Sequence, residues 1–385
     1  MYGKESESLK PYKTILSSIM GPNYFYLTHI TSQLKITVII TAYNRRNYLI
    51  EAMKSVSLQT LKKEHYEVIV VKNFYDDKVE EFINEQGFIS VYSNEKLQGK
   101  MLYDGIKIAS GNLISLLDDD DIFLPQKLEH VYYKFQSNPS LSYLHNGYTS
   151  EFGDRVDYRQ NHRISENMQF SIKQISLKNS SLMQKRKIAK FKQAGGDFNA
   201  SCISFKKDIL KDKVSFLERV NHSIDTFLFC SALISGGELM MDTQVDTLYR
   251  ISNTNTTNFT IANLIIQKQE REISNDLTKT FDDNRIRMTT YLKDLINDLI
   301  FIKLSLLDNN TSCKKLLDYQ IHSVSLEFQF ARKTKVVSNI NKNVLKHITL
   351  YLYAGFLPSF VSATVIKQFA ADILHFLKII KRRIE

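Results

Sequence analysis

Four consecutive aspartates, Asp118 to Asp121, follow the apolar run NLISLL at residues 112–117 and precede IFLP. Carboxylates this close repel one another, and each loses hydration when the site is partly closed. Hard oxygen ligands of this kind suit Mg2+ or Mn2+, and such an ion can bridge the phosphates of an anionic substrate. A solvated acidic turn would carry the same residues with no chemistry. Position decides between the two readings. In an open α/β sheet, ligands bind outside the carboxyl ends of the strands, and these aspartates lie at such an end.

The elements that place them there are legible from residue 36 onward. ITVIIT (36–41) is continuous and β-branched, the mark of a strand buried on both faces. NYLIEAMKSVSLQ follows with Leu49, Met53 and Val56 at helical spacing. EVIVV (67–71) is a second buried strand, and DDKVEEFINEQ (76–86) is a helix opened by two aspartates. FISVYS (88–93) reads as a third strand, residues 100–110 as a helix closed by Gly111, and 112–117 as a fourth strand. Pro125 is expected to open the next helix, running toward Phe135. The alternation implies a mostly parallel sheet with right-handed crossovers. Beyond residue 150 the pattern loosens, and after about residue 260 it reads as helical throughout. The expected division is an N-terminal extension at 1–34, a catalytic domain at 35–258 and a helical C-terminal region at 259–385.

Charge and cysteine usage narrow the partners. A net charge of +10 favours anionic ligands: nucleotides, nucleic acid or an acidic membrane face. Cys202, Cys230 and Cys313 are far apart and form no C-x-x-C pair, which excludes zinc ribbons and thioredoxin-like chemistry and fits a reducing compartment. The first βα turn, TAYNRRN, has no glycine, so a dinucleotide fingerprint is excluded; Gly99-Lys100 in LQGKML is only a fragment of a P-loop. A nucleic-acid-binding reading rests only on the net charge and the basic run at 178–192, and no recognition motif supports it.

VIITAYNRRNYLIEAMKSVSLQT (38–60), then EVIVV, then NEKLQGKMLYDGIKIASGNLISLLDDDDIFLP together resemble the family 2 glycosyltransferases over about residues 36–255. The resemblance implies an α/β GT-A fold, a divalent cation (Mn2+ or Mg2+) and inverting transfer from a nucleotide sugar. Mapped onto the family pattern, Asp118 and Asp120 are the two aspartates of a D-x-D motif, with Asp120 the metal ligand and Asp118 on the ribose and cation side. Asp121 matches an extra family aspartate. Asp119 holds the variable position; it counts only among the donor-binding residues, with no catalytic role. The first turn, Thr41, Ala42, Tyr43 and Asn44, is expected along the donor, and Lys100 near its diphosphate. Arg45 and Arg46 read as structural or surface residues. NHSIDTFLFCSALISGGEL supplies Asp225 as the base for the acceptor hydroxyl, with Glu218 the fallback; the competing reading makes Asp225 only a helix N-terminal acid. TLYRISNTNTTN resembles a family Tyr-Arg stretch and makes Arg250 a candidate for diphosphate contact, although the family histidine is replaced there.

Two departures matter. Where the family shows DDGS after the second strand, this chain has VVKNFYDD, so Asn73, or a displaced Asp76 or Asp77, would meet the base, and uridine against guanosine stays open. The chain contains no tryptophan and so lacks the family's Q-x-x-R-W segment of processive synthases, which favours transfer of a single sugar to a glycan or polyprenyl-linked acceptor. A non-catalytic nucleotide-sugar-binding module is the rival reading. HITLYLYAGFLPSFVSATVI (347–366) and the basic, apolar-faced segment after it suggest membrane contact through 347–385, with a buried helical hairpin as the alternative. The expected location is the cytoplasm, at the inner face of the cell membrane.

Overall fold

The computed structural model describes residues 34–152 except Asn47, residues 175–177, 188, 191–192, 194–251 and 277–306, and scattered positions from 314 to 328. The expectations for residues 1–33, for most of the 178–192 run and for 347–385 lie outside the described residues. The first half follows the expected alternation: β1 (Ile36–Ala42), α1 (Leu49–Ser57), β2 (Tyr66–Lys72), α2 (Asp77–Gln86), β3 (Ile89–Tyr92), α3 (Gln98–Ile108) and β4 (Leu113–Asp118). Next come the short β5 (Ile122–Phe123), α4 (Lys127–Ser137) and the long β6 (Leu141–Phe152). The chain then adds β7 (Ile175–Leu177), β8 (Ile203–Lys206), α5 (Ile224–Ser235), β9 (Glu238–Ile251) and α6 (Leu277–Leu306).

These strands form one mixed sheet in the order β3-β2-β1-β4-β8-β6-β9-β5, with β7 on β9. β3, β2, β1 and β4 are parallel, as the buried runs imply. The second half departs from a mostly parallel sheet: β8 runs antiparallel to both β4 and β6, while β6 and β9 pair in parallel through several register shifts. Bulges re-aim strands locally, and β6 and β9 carry too many polar residues to read as simple buried runs. Pro125 lies before the helix and not in it; Gln126 is the N-cap of α4, and Lys127 N donates to Leu124 O at 3.0 Å in the turn between.

Alternation along each strand splits the core between the two sheet faces. Ile39, Ile69, Val71, Ile114 and Leu116 pack with α3, α5 and α6. Val38, Ile40, Val68, Val70 and Leu117 pack with α1, α2 and α4. Met288, Leu292, Leu299 and Ile302 of α6 belong to the first of these clusters, so a helix beyond residue 258 shares the core that carries the site. Glu67 staples the N-terminal edge of the sheet. It accepts from Thr37 Oγ1 (2.6 Å), Ser110 N (2.6 Å), Ser110 Oγ (2.6 Å) and Lys35 Nζ (2.9 Å). Those bonds outweigh the burial that opposes its charge and hold its pKa down to about 2.

Candidate active site

The candidate site opens at the carboxyl ends of β1 and β4, where a single cleft is lined by Thr41, Arg45, Gln98, Asp118, Asp120, Asn199, His222, Asp225, Tyr249 and Tyr291 among others. Four sequence-expected residues, Thr41, Asp118, Asp120 and Asp225, therefore meet in one cavity, although more than a hundred residues of chain separate the two acidic-turn aspartates from Asp225. Asp118 ends β4 and is partly buried; Asp119, Asp120 and Asp121 are buried in the turn that follows. Ser201 backs this turn, its hydroxyl accepting from Asp118 N at 3.0 Å. Behind it the fully buried Lys127 donates to Ser201 O (2.5 Å), Asn146 Oδ1 (2.7 Å) and Thr247 Oγ1 (3.1 Å). Burial pulls this lysine down to about 8. The acidic turn thus rests on a cross-strand polar anchor that a solvated loop would lack.

Burial is the leading influence on the carboxylates. It lifts Asp118 to about 6, with the Asp120 charge adding to the rise and Arg45 opposing it. It lifts Asp119 to about 8 against the pull of Arg45. Asp121 and Asp225 are raised well above the usual range for the same reason, Asp225 further by the charges of Asp118 and Asp197. A cluster pushed this way strongly favours any cation that arrives.

Arg45 is the cation the sequence reading missed. Its Nε donates to Asp119 Oδ2 at 3.1 Å, its Nη2 bonds Asp119 Oδ1, and its Nη1 donates to Asp120 Oδ2 at 2.7 Å. Burial works against the guanidinium charge, but Asp119 and Asp120 outweigh it and raise the arginine pKa. An arginine in a βα turn has no distinguishing signal in a single sequence. His222 and Tyr291 were missed as well. Their rings lie 4.7 Å apart, and Tyr291 comes from α6, far along the chain.

Helix α6 also holds the segment leading to Asp225. Asp298 Oδ2 accepts from the backbone N–H of Asn221 (3.0 Å), His222 (2.6 Å) and Ser223 (3.1 Å), just before α5. From the other side Gly99, at the start of α3, donates to Val220 O at 3.1 Å, and a Cβ there would overlap the carbonyl oxygens of Leu217 and Val220. Asp225 sits in the first turn of α5 and also faces the cleft, so the helix-acid and site-residue readings coexist.

Other expected residues are placed differently. Ala42 is buried beneath the turn, and Tyr43 packs on the core. Asn44 and Asn73 pair with each other: Asn44 N donates to Asn73 Oδ1 (2.8 Å), and Asn73 Nδ2 to Asn44 Oδ1 (2.9 Å). Asp76 caps α2 by accepting from Val79 N at 3.2 Å, and Asp77 is the first residue of that helix. Lys100 is held by Asp104 at 2.8 Å and approaches Glu218 at 3.6 Å. Arg250 is fully buried; its Nη2 donates to Glu51 Oε2 at 2.5 Å, its guanidinium lies 4.2 Å from the Tyr48 ring, and its backbone N–H donates to Asp121 Oδ1 at 3.0 Å. Its visible work is to tie β9 and α1 to the acidic turn.

The fold thus sets an acidic turn at the carboxyl end of β4 against a cleft. Residues 37–212, a little under half of the chain, match glycosyl transferase family 2. Among curated proteins it is 34% identical over 123 residues to an uncharacterized glycosyltransferase of Rickettsia conorii, covering 31% of this chain and 20% of that protein. It is 37% identical over 101 residues to one of Bacillus subtilis, covering 26% of this chain and 37% of the relative. The chain thus spans between 17% and 37% of the length of these curated relatives. Among solved structures, S. aureus TarS 1-349 in complex with UDP-GlcNAc is similar at 14% identity and a TM-score of 0.49, covering 83% of this chain and 81% of that one. A mannosyltransferase from Pyrobaculum calidifontis in complex with GDP-Man and Mn2+ gives 11% identity and a TM-score of 0.45, covering 95% and 96%.

Proposed function

We propose that the chain is an inverting glycosyltransferase that moves one sugar from a nucleoside-diphosphate donor to a glycan or polyprenyl-linked acceptor. The observation that carries the reading is the meeting of Asp118, Asp120 and Asp225 on one cleft at the carboxyl ends of the parallel strands. In this reading Asp225 takes the proton of the acceptor hydroxyl while that oxygen attacks the anomeric carbon. The bond to the donor diphosphate breaks, its electron pair leaves with the nucleoside diphosphate, and the configuration inverts. Burial and the Asp118 charge make Asp225 a stronger base than a free carboxylate.

Asp120 and Asp118 would hold a divalent cation, Mn2+ or Mg2+. Among the described residues no three His, Cys, Asp or Glu side chains converge on a metal position by themselves. Two carboxylates nonetheless suit such an ion when substrate phosphates complete its shell, and the Arg45 guanidinium already stands on Asp120 as a stand-in cation. The bound ion would neutralise the leaving diphosphate.

Replacing Asp225 by Asn tests the assignment. Binding of UDP or GDP is expected to persist while donor turnover falls by about 10²–10⁴-fold; turnover that survives intact removes Asp225 from the reaction. The rival reading, a binding module of the same fold, is favoured only by the altered stretch after β2, where Lys72 is buried against Glu80 and Ser90 and Asn73 is hydrogen-bonded to Asn44. It predicts nucleotide binding without turnover in the unaltered chain. We place the enzyme at the inner face of the cell membrane on the pattern of 347–385. Among the described residues no helix is long and apolar enough to cross a membrane. Fractionation of cells expressing the chain with and without residues 345–385 tests the placement, and a wholly soluble full chain contradicts it.

A further inference from the structure

We infer that Arg45 is the acidic turn's own counter-cation, and that it yields Asp120 to the divalent cation while Asp119 keeps hold of it. The inference rests on the metal reading proposed above and assigns roles to two residues, Arg45 and Asp119, that this reading leaves without one.

The two grips on the guanidinium are unequal. Asp119 receives it through both carboxylate oxygens, from Nε and Nη2, a fork-to-fork pairing with strong directional preference. Asp120 receives only Nη1, at 2.7 Å. Asp120 Oδ2 cannot serve the guanidinium and a metal ion equally. A divalent cation and a guanidinium competing for one oxygen repel at a few ångströms beside these buried carboxylates. The weaker grip is the one that must open. When it does, the bidentate pair with Asp119 remains, and the freed Nη1 is left beside the oxygens of the incoming diphosphate.

The surrounding turn is built so that the side chain makes this exchange. Asn44, immediately before Arg45, sits at φ 56°, a left-handed conformation unusual for a residue other than glycine. The two hydrogen bonds between Asn44 and Asn73 pin it there. The backbone is thus fixed on one side of Arg45, whose side chain is about one-third exposed. Buried Asp119 needs a lasting partner, and a tether for the arginine is a physical reason for an aspartate at the position the family leaves variable.

Binding of Mn2+ alone to the full chain, read from the paramagnetic resonance signal of the free ion, tests this without requiring the donor to be known. Arg45→Gln is expected to bind Mn2+ about tenfold more tightly than the unaltered chain, the effect of losing one competing charge-assisted bond. Arg45→Lys, which keeps the charge and loses the fork, is expected to fall between the two. Arg46→Gln controls for simple loss of charge, because Arg46 faces Phe74 and Asp76 and not the acidic turn; it is expected to match the unaltered chain. Saturating UDP or GDP is expected to narrow the gap, since the diphosphate gives Arg45 an alternative partner. Equal Mn2+ affinity in the unaltered chain and Arg45→Gln overturns the inference alone, as does an equal gain in Arg46→Gln. No Mn2+ binding by any of them, even with either nucleotide, overturns the metal reading with it.

Discussion

Asp298 offers the sharpest test of how the site is held, because one carboxylate oxygen serves three backbone donors. It is buried, and the N–H groups of Asn221, His222 and Ser223 all point to Oδ2 at 2.6–3.1 Å. Asp298→Ala strands these donors at the mouth of α5. The Ser223 amide belongs to a buried residue, and those of Asn221 and His222 to partly exposed ones. With about 1–3 kcal/mol for a donor left buried and unpaired, and less where water can enter, the loss comes to about 3 kcal/mol. Asp298→Asn keeps an acceptor but gives up the charge, and should cost about 1 kcal/mol. Urea unfolding of the three proteins measures the ranking. Hydrogen exchange at residues 221–223 shows whether the loss is local, with faster exchange expected there in the Ala variant before any change in β1 or β4. A loss below about 0.5 kcal/mol for Ala, or an Asn variant weaker than Ala, refutes the capping role.

Other expectations follow from the same contacts. Gly99→Ala should destabilise by about 1–3 kcal/mol, since its Cβ meets backbone carbonyls that can retreat only by moving the segment before Asp225; thermal unfolding reads this, and an unchanged midpoint contradicts the packing. Glu67 has a folded pKa near 2 against an ordinary 4.5, so its contribution is present above about pH 4.5 and is lost as pH falls toward 2. Glu67→Gln should therefore lower stability at pH 7 by about 2–3 kcal/mol and by much less at pH 2.5. His130 shows the opposite sign. Its bond to Asp246 at 2.8 Å raises its pKa, so its contribution is complete below the ordinary value of 6.5 and fades as pH rises through the folded value. His130→Gln should flatten the decline in stability on the alkaline side.

The parts of this molecule that one sequence reveals are those with a local physical cause. β1, β2 and β4 are buried on both faces and therefore appear as unbroken apolar runs. Asp118 to Asp121 stand out because four adjacent carboxylates demand an explanation where they occur. Asp225 was legible only through the family resemblance, because an acid in the first turn of a helix is ordinary. β6 and β9 escaped because their register shifts and polar residues blur the period that marks a strand. Arg45, Tyr291 and Asp298 escaped for another reason. Each acquires meaning only from what the fold brings beside it: an acidic turn from β4, a histidine before α5 and three amides of that same segment.

The central claim is that Asp118 and Asp120 grip a nucleotide-sugar donor through a divalent cation. A panel of UDP- and GDP-sugars, incubated with the full chain and Mn2+ and followed for release of the nucleoside diphosphate, tests it most directly. The account predicts that at least one donor is turned over, that chelation of the cation abolishes the turnover, and that Asp120→Ala lowers it by about 10²-fold or more. Turnover that is unaffected by chelation and survives intact in Asp120→Ala would contradict it.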